Sequence, residues 1–131
     1  MRFLLDTNVV SELTRRAPNA SVLDWAASIA SHSISAVTVE ELWFGIARRP
    51  DIRILDWVSA YLKRHEVLPI TPEIAERSGR MRGEFSRKGI VRDSFDMLIA
   101  ATVQAHGLTL VTRNTRDFEG CGIALFNPFT D

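Results

Sequence analysis

The chain has 131 residues, 46% of them hydrophobic and 24% charged, and its sixteen basic residues are matched by sixteen acidic ones for a formal net charge of zero. That length holds one domain, residues 1–131, and the balance excludes any overall attraction to nucleic acid or membrane while leaving room for a local basic face. The single cysteine excludes an intramolecular disulfide, the three isolated histidines lack zinc-site spacing, and neither a signal peptide nor an apolar run near the roughly 20 residues of a membrane span is present, so a soluble cytoplasmic protein is expected.

Arg2-Phe3-Leu4-Leu5 reads as a buried strand that runs into Asp6, Thr7 and Asn8, setting Asp6 at the strand's carboxyl end. A short helix is expected over Val9 to Arg15, capped by Asn8 or Thr7 and stopped by Ala17-Pro18-Asn19. From Ser21, taken as a cap, Val22, Trp25, Ala26 and Ile29 recur at helical spacing. Ser33 to Val37 reads as a second strand, followed by a helix carrying Val39, Leu42, Trp43 and Ile46. Pro50-Asp51 opens another helix with Ile54, Leu55, Val58 and Leu62 on one face.

Glu66 to Ile70 reads as a third strand, at or near a sheet edge because Pro69 has no N–H for a ladder. Thr71-Pro72-Glu73 is a helix start, with a hydroxyl cap, proline at the first helical position and an acid in the first turn, and Gly89 ends that helix. Asp93 or Ser94 caps the next, whose buried face is expected to be Phe95, Leu98, Ile99, Thr102 and Val103 and which closes at His106-Gly107. Leu108 to Thr112 is a fourth strand, Asn114 to Phe118 a polar turn, and Ile123 to Phe126 a last short strand. Strands alternating with helices predict an α/β fold, a parallel sheet wrapped by α-helices.

Four acids fall at comparable places: Asp6 after the first strand, Glu41 in the first turn of the helix after the second, Asp96 in the first turn of the helix before the fourth, and Asp117 in the polar turn after it. Carboxyl ends of parallel strands and amino ends of the following helices share one edge, so Asp6, Glu41 and Asp117 are placed to face one crevice. Asp96 joins them only if its helix starts at that same edge. Each acid also has an ordinary reading, since Thr38 and Glu41 match a capping box, Asp96 suits a helix dipole and Asp117 suits a turn. Crowded carboxylates raise one another's pKa unless a cation neutralises them, and Mg²⁺ or Mn²⁺ suits hard oxygen donors. Such a cation also promotes attack by water on a phosphodiester and offsets the charge that grows there. No phosphate-binding glycine loop or nucleophilic serine or cysteine motif competes.

Leu4-Leu5-Asp6-Thr7-Asn8, Thr38-Val39-Glu40-Glu41-Leu42 with Gly45, Asp96-Met97-Leu98-Ile99-Ala100-Ala101, and Val111-Thr112-Arg113-Asn114 with Asp117-Phe118 together resemble the PIN-domain ribonucleases, above all the VapC-type toxins. The ending Phe126-Asn127-Pro128-Phe129 resembles the FitB branch. The resemblance implies one PIN domain and hydrolysis of RNA with Mg²⁺ or Mn²⁺. It implies Asp6, Glu41, Asp96 and Asp117 as catalytic acids, with Asp6 and Asp96 as metal ligands and Asn114 lining the substrate site. It also implies a homodimer held inactive by a cognate antitoxin, and contact with DNA only through that antitoxin.

Holding RNA requires cations, and Arg15 and Arg16 are favoured because their helix begins beside Asp6. Trp25, Trp43 and Trp57 lie on apolar helix faces and read as core or interface, and His32, His65 and His106 read as helix-end cations. A signalling receiver domain shares the size and alternation, but needs paired acids after the first strand and a lysine after a late one, where Thr112-Arg113-Asn114 has none. A catalytically silent PIN-like binding module is disfavoured by the presence of all four acids.

Overall fold

The structure, a computed structural model, describes residues 2–130. Five strands, β1 (Phe3–Leu5), β2 (Ser33–Ser35), β3 (Glu66–Leu68), β4 (Thr109–Val111) and β5 (Ala124–Phe126), alternate with six helices. These are α1 (Thr7–Leu13), α2 (Ala20–Ser28), α3 (Ala36–Arg48), α4 (Ile52–Arg64), α5 (Pro72–Arg87) and α6 (Ser94–His106). All strand pairs are parallel, in the order β3-β2-β1-β4-β5. Parallel neighbours need crossover connections, and the helices between strands supply them.

The alternation of side chains along a strand explains why the apolar pairs are continuous rather than spaced. Leu4 and Leu110 enter one core with Met97, Ile99, Val103 and Phe118, whereas Leu5 and Val111 enter a second with Val9, Val22, Ile34, Val58 and Tyr61. The sheet is therefore buried on both faces, and each of these leucines, fully buried, contributes about 2 kcal/mol of apolar transfer energy. No helix of the described residues is long and apolar enough to cross a membrane.

The strand order reverses at the centre, since the chain moves from β1 outward through β2 to β3 and then returns to the other side of β1 with β4 and β5. The gap between the carboxyl ends of β1 and β4 is the topological switch point, where open α/β sheets bind ligands. Residues immediately after Leu5 and Val111, which are register partners, meet there.

Several helix starts lie earlier than the sequence reading set them. Asp6, rather than Thr7 or Asn8, caps α1, and Asn19, rather than Ser21, caps α2 by accepting from the Ser21 and Val22 N–H groups. Ser35 ends β2 and caps α3 by accepting from Val37 N–H at 3.0 Å, so Ala36 and Val37 are helical although β-tolerant. Thr38 thus lies inside the helix and the capping-box reading of Thr38 and Glu41 fails. The third strand lies at the sheet edge as expected but ends at Leu68, so Pro69 and Ile70, read as part of it, fall outside the ladder, where Pro69 has no N–H to give.

Phe95 is 39% exposed, contrary to its expected burial, while Met97, Ala100 and Ala101 join Ile99, Thr102 and Val103 inside. The reason is that α6 is sandwiched between the sheet and α5 residues Met81 and Phe85, so small residues are buried on its second side as well. His32 and His65 are not helix-end cations: their rings stack at 4.2 Å, the His32 Nε2 meets the Tyr61 hydroxyl, and Tyr61 stacks on Trp57. Burial, with the neighbouring His65, pushes His32 down to about 4, and burial followed by the Arg64 charge lowers His65. Trp43 stands at the surface.

Candidate active site

Asp6 leaves β1 with its carboxylate almost wholly buried and held from three sides. Thr7 N–H donates to Oδ1 at 2.8 Å, Asn8 Nδ2 to Oδ2 at 3.2 Å, and the fully buried Thr112 hydroxyl to Oδ2 at 2.9 Å. Thr112 is the residue after β4, so the switch point is closed by a direct bond between its two sides. Burial raises the Asp6 pKa, the three donors oppose that rise, and the Asp117 charge adds to it. Asn8 accepts from Arg113 N–H at 3.1 Å, and Asn114 N–H donates to the Thr112 hydroxyl at 3.0 Å. These bonds fix the loop after β4 against the start of α1.

Glu41 projects from α3 toward the same place. Thr7 donates its hydroxyl to Glu41 Oε1 at 2.6 Å, and its oxygen lies 3.0 Å from the Thr38 hydroxyl. Burial raises the Glu41 pKa first, the Thr7 bond opposes it, and the charges of Asp6, Asp93 and Glu40 add to it.

Asp96 reaches this group because α6 ends at Gly107, left-handed at φ 63°, and passes directly into β4. The end of α6 is thereby tied to the amino edge of the sheet, and its thirteen residues, about 20 Å of helix, carry its start back to the carboxyl edge. Asp93 caps that start, accepting from Asp96 N–H at 3.0 Å. Burial and then the charges of Asp6, Asp93, Asp117 and Glu41 push Asp96 up to about 7. The polar turn after β4 is a 3₁₀ turn, Thr115–Phe118, anchored by buried Phe118 and presenting exposed Asp117.

A groove of about 280 Å³ runs between Val91, Arg92, Asp93, Asp96, Arg116 and Asp117. On the other side of Glu41 a second groove, about 230 Å³, is lined by Leu42, Gly45, Ile46, Ile54 and Val58. Asn114 is exposed just beyond Thr112. Arg15 and Arg16 lie past the last residue of α1, both exposed, and Arg15 contacts Glu12 at 3.2 Å. Neither arginine pairs with the acids at the switch point among the described residues.

The sequence reading missed Thr7, Thr112 and Arg92. Arg92 donates through Nη1 to the carbonyls of Arg116 and Asp117 and through Nη2 to that of Glu119 at 2.6 Å. A threonine directly after each of the two central strands was a usable signal for the first two.

The acids fit a divalent cation. All the donors are carboxylate oxygens, charges of neighbouring acids raise the pKa of Asp6, Glu41 and Asp96, and among the described residues the side-chain ion pairs, Arg15–Glu12 and Arg80–Glu76, involve none of the four. Among the described residues no three acidic, histidine or cysteine side chains form a ready-made metal cage. An ion that keeps its own waters and takes one or two carboxylates directly needs no such cage.

A parallel sheet with order 3-2-1-4-5 and acids gathered at its switch point is the layout of a metal-dependent nuclease of the PIN type. The family model described as PIN domain matches residues 3–121. The chain is 34% identical to the VapC ribonuclease Y4jK of Sinorhizobium fredii, covering 96% of each, and 33% identical to toxin FitB of Neisseria gonorrhoeae, covering 98% of this chain and 99% of that one. Its fold superposes on the solved structure of DNA-bound VapBC from Salmonella typhimurium with a TM-score of 0.85, at 30% identity and 98% coverage of both chains. The chain belongs to the PIN-domain family, among its VapC-type ribonuclease toxins.

Proposed function

We propose that the chain is a single-domain endoribonuclease that hydrolyses RNA phosphodiester bonds with Mg²⁺ or Mn²⁺, working in the cytoplasm as the toxin of a type II toxin-antitoxin pair. The observation that carries this reading is the crowding of Asp6, Glu41, Asp96 and Asp117 at the switch point, with none of the four in an ion pair among the described residues. Asp6 and Asp96 are the residues to hold the cation, and Glu41 and Asp117 complete the acidic site. When bound, the cation supplies charge neutralisation for the reacting phosphoryl group and promotes ionisation of water. Thr112, Asn8 and Thr7 N–H favour the ionised form of Asp6 against its burial and fix its carboxylate, and the Thr7 hydroxyl fixes Glu41, so little reorganisation remains when RNA binds. Asn114 and the exposed arginines Arg15 and Arg16 serve the substrate, with the arginines contacting phosphates.

The apolar groove beside Glu41 suits an antitoxin segment that covers the site, and this groove supports the pairing. A homodimer is favoured by Trp43, Phe44 and Ile52, apolar side chains that stay exposed on α3 and α4. DNA is contacted only through the antitoxin.

The test is incubation of the purified chain with a panel of structured and single-stranded RNAs, tRNA transcripts included, in Mg²⁺ or Mn²⁺, then in excess EDTA, beside Asp6→Ala. Cleavage dependent on both the metal and Asp6 is expected. Cleavage that persists in EDTA or in the variant removes the assignment.

A further inference from the structure

Between Gly89, two residues past the end of α5, and Asp93, which caps α6, the chain holds one partly buried cation, Arg92. Its guanidinium lies over the Phe85 ring, 4.3 Å from the centroid, and so is fixed against the last turns of α5. From that shelf it donates to three carbonyls of the neighbouring turn, those of Arg116, Asp117 and Glu119. Four residues along the chain is Asp96, and the middle carbonyl belongs to Asp117. One side chain therefore brackets the two elements that carry two of the four acids, a helix start and a 3₁₀ turn.

The choice of acceptor is informative. A guanidinium seated on the Asp117 carboxylate would neutralise it and compete with a cation, whereas Arg92 binds the backbone and leaves that carboxylate unpaired. In the turn between β4 and β5, Phe118 is the one buried side chain of residues Thr115–Phe118. Arg92 supplies a bond at each side of Phe118 as well as at Asp117.

We propose that Arg92 is a positioning residue for the nuclease, clamping the turn that carries Asp117 in register with the start of α6 that carries Asp96. The inference rests on the reading of Asp117 as a catalytic acid. Arg92 acts here through the two elements it joins, its Nη1 and Nη2 donors being taken up by backbone carbonyls.

A misplacement of about 1 Å in a catalytic group can slow a reaction on the order of 100-fold. Arg92→Ala is expected to lower single-turnover cleavage of the panel RNA that the native chain cuts fastest by roughly 10- to 100-fold, with KM changed less than about twofold, and Arg92→Lys, which keeps one or two of the bonds, to recover part of the rate. Groups acting through one another are non-additive, so Arg92→Ala combined with Asp117→Ala is expected to be no slower than Asp117→Ala alone. Amide hydrogen exchange of the full-length variant, expected to rise over residues 115–119 and not over β1, reports the clamp without RNA. If Asp117→Ala slows cleavage but Arg92→Ala does not, or the two effects multiply, the clamp is wrong and the acid assignment stands. If Asp117→Ala cuts at the native rate, the assignment of Asp117 is wrong and the inference falls with it. Unchanged exchange over 115–119 in Arg92→Ala overturns it as well.

Discussion

Replacing Thr112 with valine keeps the side-chain shape and removes one buried hydroxyl, the group that donates to Asp6 Oδ2 at 2.9 Å. A hydrogen bond to a charged group contributes about 1.5–3 kcal/mol and one to a neutral group about 1, so the loss depends on whether Asp6 is ionised. The part of the Thr112→Val deficit due to this bond is therefore expected to be about 2 kcal/mol with Asp6 ionised and about 1 kcal/mol with it protonated, added to a loss, the same at both pH values, from the bonds the hydroxyl accepts from Asn8 and Asn114. The difference, about 1 kcal/mol, corresponds to a further rise in the Asp6 pKa of somewhat under one unit. The sign follows from linkage: Asp6 already has a folded pKa above its unfolded value, so its ionisation opposes folding as pH rises through the folded pKa, and the variant enlarges that opposition. Urea unfolding without added metal, at pH 4 and pH 8, reads the two deficits. In parallel the acid limb of the cleavage rate is expected to move to higher pH. A deficit equal at both pH values, or larger at pH 4, refutes the role given to Thr112.

Asp96 is pushed from 3.8 to about 7. A rise of that size would be about 4 kcal/mol if unscreened, and the half-exposed side chain reduces it to about 1–2 kcal/mol, lost as pH climbs through about 7. Asp96→Asn is thus expected to stabilise the metal-free chain at pH 8, to leave it unchanged at pH 3, and to abolish cleavage, as read by urea unfolding and RNA assay. Mg²⁺ is expected to raise the thermal midpoint of the native chain more at pH 8 than at pH 5, because protons compete for the same carboxylates, and a larger rise at pH 5 counts against carboxylate binding. His32, pushed down to about 4, is expected to stay neutral until well below pH 5. Its protonation is favoured in the unfolded chain, so stability contributed by the neutral ring is complete above about 6.5 and lost as pH falls toward 4. NMR titration of the imidazole resonances checks this, and a His32 midpoint near 6.5 contradicts the stacked, buried ring.

The fold was legible because its strongest signals are local. Short apolar runs such as Phe3-Leu4-Leu5 and Leu110-Val111, too short for helices and bounded by polar residues, mark strands buried on both faces, and the helical stretches between them impose parallel pairing. The same alternation set Asp6, Glu41 and Asp117 at one sheet edge, whereas the place of Asp96 hung on where its helix starts, which spacing does not fix. What the sequence concealed depends on distant partners: Thr7 meets Glu41 across 34 residues, Thr112 meets Asp6 across 106, and Arg92 meets the Asp117 carbonyl across 25. Thr38 and Glu41 carry the spacing of a capping box, yet Ser35 takes the cap three residues earlier, and Glu41 is left to bond Thr7. Short spacing identifies a local device only when no nearer residue fills it. Phe95 was misjudged for a related reason, since a helix buried on two sides by small residues gives no single apolar stripe.

The most direct test of the central claim is a Mn²⁺ titration of the full chain, with free Mn²⁺ followed by electron paramagnetic resonance, beside Asp6→Asn, Asp96→Asn and an Arg80→Ala control, each also assayed for RNA cleavage. The native chain and the control are expected to bind Mn²⁺ and to cut RNA over the same concentration range, with both properties lost together in the two acid variants. Unchanged Mn²⁺ affinity in Asp6→Asn and Asp96→Asn, or cleavage that persists in them, would contradict a catalytic cation held at the switch point.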